Sequence, residues 1–244
     1  MLFSIAAGAR AQTSVPAIDS AAVRLLQRSM DYLGGVPHFT VQADNVTEDL
    51  LESGQRVDYA VPSTVSVSRP DHLRVDRRGV RGRRIVYFDG STVTVFDPVQ
   101  NVYAKASLRG SLNGLFDFAL DSLDLNIPVT DLLRPDVFPL LVQDITLARV
   151  IGREPIDGVM CVHLLFSRPH VDFQIWIPES GPPLPRRYIV TDTGTPALLS
   201  VVTTMRDWNL RAPLPASTFL FAPPKGAREI IFVRPGAAGG PTNH

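Results

Sequence analysis

Cysteine is nearly absent from this chain of 244 residues: Cys161 stands alone, which excludes an intramolecular disulfide and any cysteine-based metal cluster. An excess of charge of one sign is also missing. Lys plus Arg and Asp plus Glu each total 24, so there is no whole-chain electrostatic footprint for nucleic acid. No run approaches the roughly 20 apolar residues that a membrane-spanning helix requires. The five histidines (His38, His72, His163, His170 and His244) form neither a His-x-x-x-His nor a His-Glu-x-x-His pair. Gly-x-Ser-x-Gly, Gly-x-Gly-x-x-Gly and Walker sequences are lacking too, which removes the usual signals for zinc hydrolysis, acyl transfer and nucleotide binding. No catalytic residue, metal ligand or cofactor is expected.

Some weaker patterns have a structural reading. Cys161 and His163 share a strand face, and Asp172 and Asp192 fall on neighbouring strands. Without an aligned base and nucleophile these are packing and wet-face residues. The arginines between Arg74 and Arg84 are punctuated by Gly79 and Gly82, which reads as a solvated hairpin loop, with a patch for anionic lipid or phosphate as the alternative.

What is present is β structure. In Val171–Ile177 the residues Val171, Phe173, Ile175 and Ile177 share one face, while Asp172, Gln174 and Trp176 share the other. Period-two alternation of this kind marks a strand with one buried and one wetter face. Similar runs occupy 39–51, 55–61, 64–68, 72–76, 84–88, 92–96, 101–106, 146–151, 159–166, 186–192 and 197–208. Asp89-Gly90 between two of them is a hairpin signal.

Two regions differ. Asp19-Ser20 caps a helix to about Leu33, with an apolar stripe at Ile18, Ala22, Leu25, Leu26 and Leu33, ended by Gly34-Gly35. Leu112–Leu123, Val129–Leu133 and Val137–Asp144 have helical spacing and are more apolar than surface helices require. About ten or eleven strands in sequence with segregated helices indicate an α+β fold. We expect a curved antiparallel half-barrel wrapping the N-terminal helix and the central insert. Residues 1–11 read as the remnant of a secretory signal peptide, 12–234 as a single domain and 235–244 as a disordered tail.

The order of Arg-Pro-Asp-His-Leu-Arg at 69–74, Tyr87-Phe-Asp-Gly-Ser91, the apolar insert, Ile156-Asp-Gly158, Val171–Ile177, Pro185-Arg-Arg187 and Phe219–Pro224 resembles the predicted periplasmic proteins of domain of unknown function 2092. Those in turn resemble the lipoprotein-carrier superfamily of LolA and LolB. The resemblance implies a periplasmic protein with an apolar cavity between sheet and helices, and a strand arginine that helps hold the lid helices closed.

On that basis the expected cavity and lid residues are Val86, Phe88, Leu115, Phe116, Phe118, Leu132, Leu133, Phe138, Leu141 and Trp176. Arg74 and Arg84 are the expected rim or head-group residues. The expected partner is an apolar ligand such as a lipid acyl chain or a lipoprotein. A filled core serving an envelope protein partner is the alternative.

Overall fold

The computed structural model describes residues 17–80, 82–122, 132–211 and 213–231. The expected signal remnant at 1–11 and tail at 235–244 lie outside them. Two long strands, β1 (His38–Leu50) and β2 (Arg56–Ser68), form the centre of one sheet. On one side follow β3 (His72–Gly79), β4 (Gly82–Asp89), β5 (Thr92–Asp97) and β6 (Val102–Ser107). On the other side β1 pairs with β11 (Ser200–Asn209), then come β10 (Arg187–Asp192), β9 (Val171–Pro178), β8 (Val159–Arg168) and β7 (Leu147–Ile156). A twelfth strand, β12 (Arg228–Glu229), adds parallel to β6; every other pairing is antiparallel. The result is an open, curved sheet in an α+β fold. Breaks in register at Thr40/Gln42 and Val150/Gly152 mark bulges, which bend a strand and raise its local twist.

Alternation decides which face is buried. Phe39, Val41 and Ala43 of β1, Val65 and Val67 of β2, and Phe173, Ile175 and Ile177 of β9 all join one core cluster. This inner face carries the helices. Helix α1 (Ser20–Gly35) starts where the Asp19 carboxylate accepts from the Ala21 N–H at 2.8 Å. It lays Ala22, Leu26, Met30 and Leu33 onto the sheet. Backbone bonds from Asp19 N–H to the Ala148 carbonyl and from Ala148 N–H to the Ala17 carbonyl, both 2.9 Å, tie its start to β7. The insert between β6 and β7 contributes α2 (Leu112–Ser122) and α3 (Val137–Val142). Of the segment expected to be helical at 129–133, only Leu132 and Leu133 are described, and both are helical.

Several expected boundaries are corrected. β2 runs unbroken through Pro62, which the sequence reading took as a break. There β2 pairs with β1 through Asp44, and β3 joins only from Ser63 onward, so a missing N–H on the open side is tolerated. β7 continues through Pro155, and the turn sits at Asp157-Gly158, both with positive φ of 47° and 76°. Asp-Gly is the pair best suited to that conformation. The arginine-rich stretch is largely paired strand: β3 and β4 pair as far as Gly79↔Gly82, which puts Arg77 and Arg84 on one face and Arg74, Arg78 and Arg83 on the other.

Candidate functional site

The insert closes over the inner face of β3–β5. Leu73, Val75, Val86, Phe88 and Val93 of the sheet share a buried cluster with Leu112, Leu115 and Phe116 of α2. Leu132, Leu133, Val137 and Leu141 join the same cluster, and Phe118 and Phe138 pack against it, half-buried. Of the expected cavity and lid residues, Val86, Phe88, Leu115, Phe116, Leu132, Leu133 and Leu141 belong to the core cluster that spans the inner face, and Phe118 and Phe138 pack against it. Burying a large apolar side chain contributes roughly 1.5–3 kcal/mol, so this non-directional contact is the main hold on the insert.

Trp176 is the exception. It lies on the outer face with Ile156 and Cys161, its ring stacked on His163 at 4.0 Å and covered by Arg187 at 5.4 Å. Its indole N–H donates to Glu154 Oε1 at 2.6 Å. The reason is parity: Trp176 alternates with Ile175 and Ile177, which point inward. Arg74 is also on the outer face, paired with Asp76 at 3.3 Å and set over the Tyr87 ring at 5.5 Å. Arg84 falls in the inner row of β4, two residues beyond Val86, where it is exposed.

The arginine that fastens the insert is Arg69, which follows β2. Its Nη1 donates to the Leu133 carbonyl at 2.8 Å, Nε to the Val36 carbonyl at 3.1 Å and Nη2 to the Leu33 carbonyl at 3.3 Å. One guanidinium thus joins the sheet, the α1 C-terminus and the insert. Burial pulls it below its ordinary pKa. The two α1 carbonyls suit a cation, because a helix C-terminus carries negative partial charge. Sequence reading missed it because Arg69-Pro70-Asp71 looks like an ordinary turn and its three acceptors are distant in the chain.

Among the described residues, other polar ties of the insert include the Leu112 N–H, which donates to the Pro70 carbonyl at 3.0 Å. Arg134 Nη2 reaches Asp117 Oδ1 at 2.6 Å, Asn113 Nδ2 donates to Asp136 Oδ1 at 2.9 Å, and Arg168 Nη1 donates to the Leu140 carbonyl at 3.2 Å. At Gly34 a Cβ would stand 2.5 Å from the Pro135 carbonyl oxygen, so only glycine permits this approach of the insert to α1.

A cleft of about 510 Å³ opens at the Arg69 end of the sheet, beside Pro178, Pro182, Leu184, Arg186, Trp208 and Leu210. Leu184, Trp208 and Leu210 also belong to or pack on the inner core, so the cleft reaches its border. On the opposite side of the sheet Phe221 packs against Tyr87, Phe96 and Tyr103, with ring centroids 5.0–5.5 Å apart, covering the outer face of β4–β6.

The polar residues of β8–β10 pair with their neighbours. His163 bonds Gln174 at 2.8 Å, and its Nδ1 stands 3.2 Å from Glu154 Oε1. Asp172 stands opposite Ser167 and Thr191, and Asp192 accepts from the Gly194 N–H and the Thr195 hydroxyl. Cys161 is fully buried, its thiol pushed up by burial, the reverse of an activated nucleophile. No group of three or more His, Cys, Asp or Glu able to hold a metal occurs among the described residues. None of the described helices is long and apolar enough to cross a membrane.

Among solved structures, an uncharacterised conserved protein from Thermus thermophilus is similar at 13% identity and a TM-score of 0.50, over 87% of this chain and 99% of that one. The lipoprotein LppX of Mycobacterium tuberculosis aligns at 16% identity and 0.49, covering 81% and 99%. A LolA superfamily protein from Nitrosomonas europaea aligns at 16% and 0.42, covering 82% and 97%. No curated protein matches the chain. A family model described as predicted periplasmic protein (DUF2092) matches residues 22–233, and the chain belongs to that family.

Proposed function

We propose that this periplasmic protein is a non-enzymatic carrier or binding protein for an apolar ligand, such as a lipid acyl chain or the acyl chains of a lipoprotein. The observation that carries the reading is the way the insert is held. Its helices lay apolar side chains into the core of the sheet, and among the described residues the hydrogen bonds that tie them to the rest of the chain are Arg69 to the Leu133 carbonyl, Arg168 to the Leu140 carbonyl and Leu112 N–H to the Pro70 carbonyl. An acyl chain can replace those side chains against Val86, Phe88 and Leu73 with little net loss of buried apolar area, whereas a hydrogen-bonded strand could not be exchanged so readily. Opening would shift α2 and α3 about the Arg69–Leu133 attachment, and closing would return the apolar surface to cover.

The test is native mass spectrometry of protein purified from the periplasm, before and after delipidation. A co-purified mass that delipidation removes and added palmitate restores is the expected result. Ligand-free protein that takes up no palmitate would end the proposal.

A second reading, a module for an envelope protein partner, is favoured by the edge strand β7, which leaves Val150 and Ile151 exposed. Residues 17–19 pair with this edge at Ala148, and an edge with apolar side chains beyond that point is a template for strand addition. That reading expects substitutions in β7, and not in the insert, to abolish function.

A further inference from the structure

The inner face changes character at the end of the sheet remote from Arg69. In β3 the inward row runs Leu73, Val75, Arg77; in β4 it runs Phe88, Val86, Arg84. The register places these residues directly opposite one another, Leu73↔Phe88, Val75↔Val86 and Arg77↔Arg84. Two cations thus stand side by side where the apolar face ends. Like charges directly opposite on neighbouring strands repel, and among the described residues no carboxylate lies within ion-pair distance of either.

The surroundings sharpen the contrast. On the outer face Asp76 bonds Arg83 through both carboxylate oxygens, at 2.9 and 2.6 Å, and reaches Arg74 at 3.3 Å. Along the inner face, the polar residues in line with the pair satisfy one another. Thr203 Oγ1 donates to Asn45 Oδ1 at 2.8 Å, Asn45 Nδ2 contacts Ser63 Oγ at 3.4 Å, and Ser63 stands opposite Arg77. Asp97, the next acidic side chain along β5, uses Oδ1 to accept from the Val99 and Gln100 N–H groups, both at 2.9 Å. Arg77 is partly buried, and burial together with the charge of Arg84 holds its guanidinium below the ordinary value.

The geometry points to an anion site: Arg77 and Arg84 receive the phosphate or carboxylate head group of an amphiphile whose chain lies along Val75, Val86 and Phe88. Two guanidinium forks side by side suit a multi-oxygen anion, and its charge removes their repulsion. The inference rests on the apolar-ligand reading above and adds a ligand class to it.

Oleoyl lysophosphatidic acid and oleoyl lysophosphatidylcholine, titrated calorimetrically below their micellar concentrations, share a chain and differ in head-group charge. We expect the anionic lipid to bind about tenfold or more tightly, and the R77Q/R84Q variant to lose that preference while holding the zwitterionic lipid as before. R78Q, on the outer face, serves as a folded control that keeps the preference. Inorganic phosphate alone is the second arm: binding far weaker than that of the lysophosphatidic acid assigns the site to a lipid head group, and equal binding overturns that assignment. Equal affinity for the two lipids, or a preference that survives in R77Q/R84Q, overturns the inference while leaving the apolar-ligand reading in place. Failure of both lipids to bind removes that reading as well.

Discussion

Arg69 and Leu133 are 64 residues apart in the chain, one after a sheet strand and the other in the insert, and a 2.8 Å bond from guanidinium to carbonyl joins them. Because the same side chain also holds Val36 and Leu33, its removal loosens the insert and takes the charged donor from three part-buried carbonyls, of which Leu33 keeps the Val36 N–H. Arg69→Ala is expected to lower stability by about 2–3 kcal/mol. Amide exchange should accelerate at the α1 C-terminus and in 132–142 before it does so in β1 and β2. Arg69→Lys should recover only part of the loss, since an ammonium lacks the fork. Exchange that rises uniformly over the whole chain would assign Arg69 a merely global role. Urea melts and exchange mass spectrometry measure both.

Gly34→Ala tests the fit of insert to helix. A Cβ placed 2.5 Å from the Pro135 carbonyl oxygen meets backbone, which cannot rotate away as a side chain can. The expected cost is about 1–3 kcal/mol, despite the gain in helix propensity that alanine usually brings. Gly35→Ala, with open space around its Cβ, should not show it. Paired thermal melts distinguish the two.

The acid limb of stability should carry a contribution from Asp76. The hydrogen bond from Arg83 is the main cause that holds this carboxyl below its ordinary value of 3.8, aided by the charges of Arg83, Arg74 and Arg78 against a smaller opposing effect of burial. A folded value below the unfolded one means that the stabilisation is complete above the unfolded value and is lost as the pH falls through the folded one. Asp76→Asn should therefore be less stable than the parent at pH 7, with the difference shrinking below about pH 4. Denaturation midpoints from pH 7 down to pH 2.5 would reveal it.

The two tryptophans offer a readout of face. Trp208 tilts against Phe39 at 5.3 Å beside the inner core, whereas Trp176 stacks on His163 outside it. In Trp176→Phe protein, fatty acid should shift the remaining emission; in Trp208→Phe protein it should not. A response confined to Trp176 would put the ligand on the outer face.

These contrasts also mark what was legible in the sequence. The strands β8 to β11 are read from period-two alternation, and α1 from its Asp19 cap and apolar stripe, because local physics dominates there. The insert is legible since helices that apolar must be covered, and Leu112, Leu115, Phe116, Leu132, Leu133, Val137 and Leu141 are buried in the core. Grouping Trp176 with them conflicts with its own alternation with Ile175 and Ile177, which sends it outward; parity outweighs hydrophobicity on a strand. β12 could not be read, because two residues held to β6 by backbone bonds such as Ile230 N–H to the Tyr103 carbonyl leave no side-chain period. Arg69 escaped for a related reason: backbone carbonyls are invisible to residue patterns. The Arg77↔Arg84 pair depended on register, which followed only once the supposed loop proved to be paired strand.

The most direct test of the account is to photolabel the protein with a diazirine-bearing fatty acid and map the adducts by peptide mass spectrometry. The account predicts labels on β3–β4 and α2, around Val86, Phe88, Leu115 and Phe116, that unlabelled palmitate removes by competition. Competed labels confined to the outer face around Cys161 and Trp176, or labelling that palmitate leaves unchanged, would contradict it.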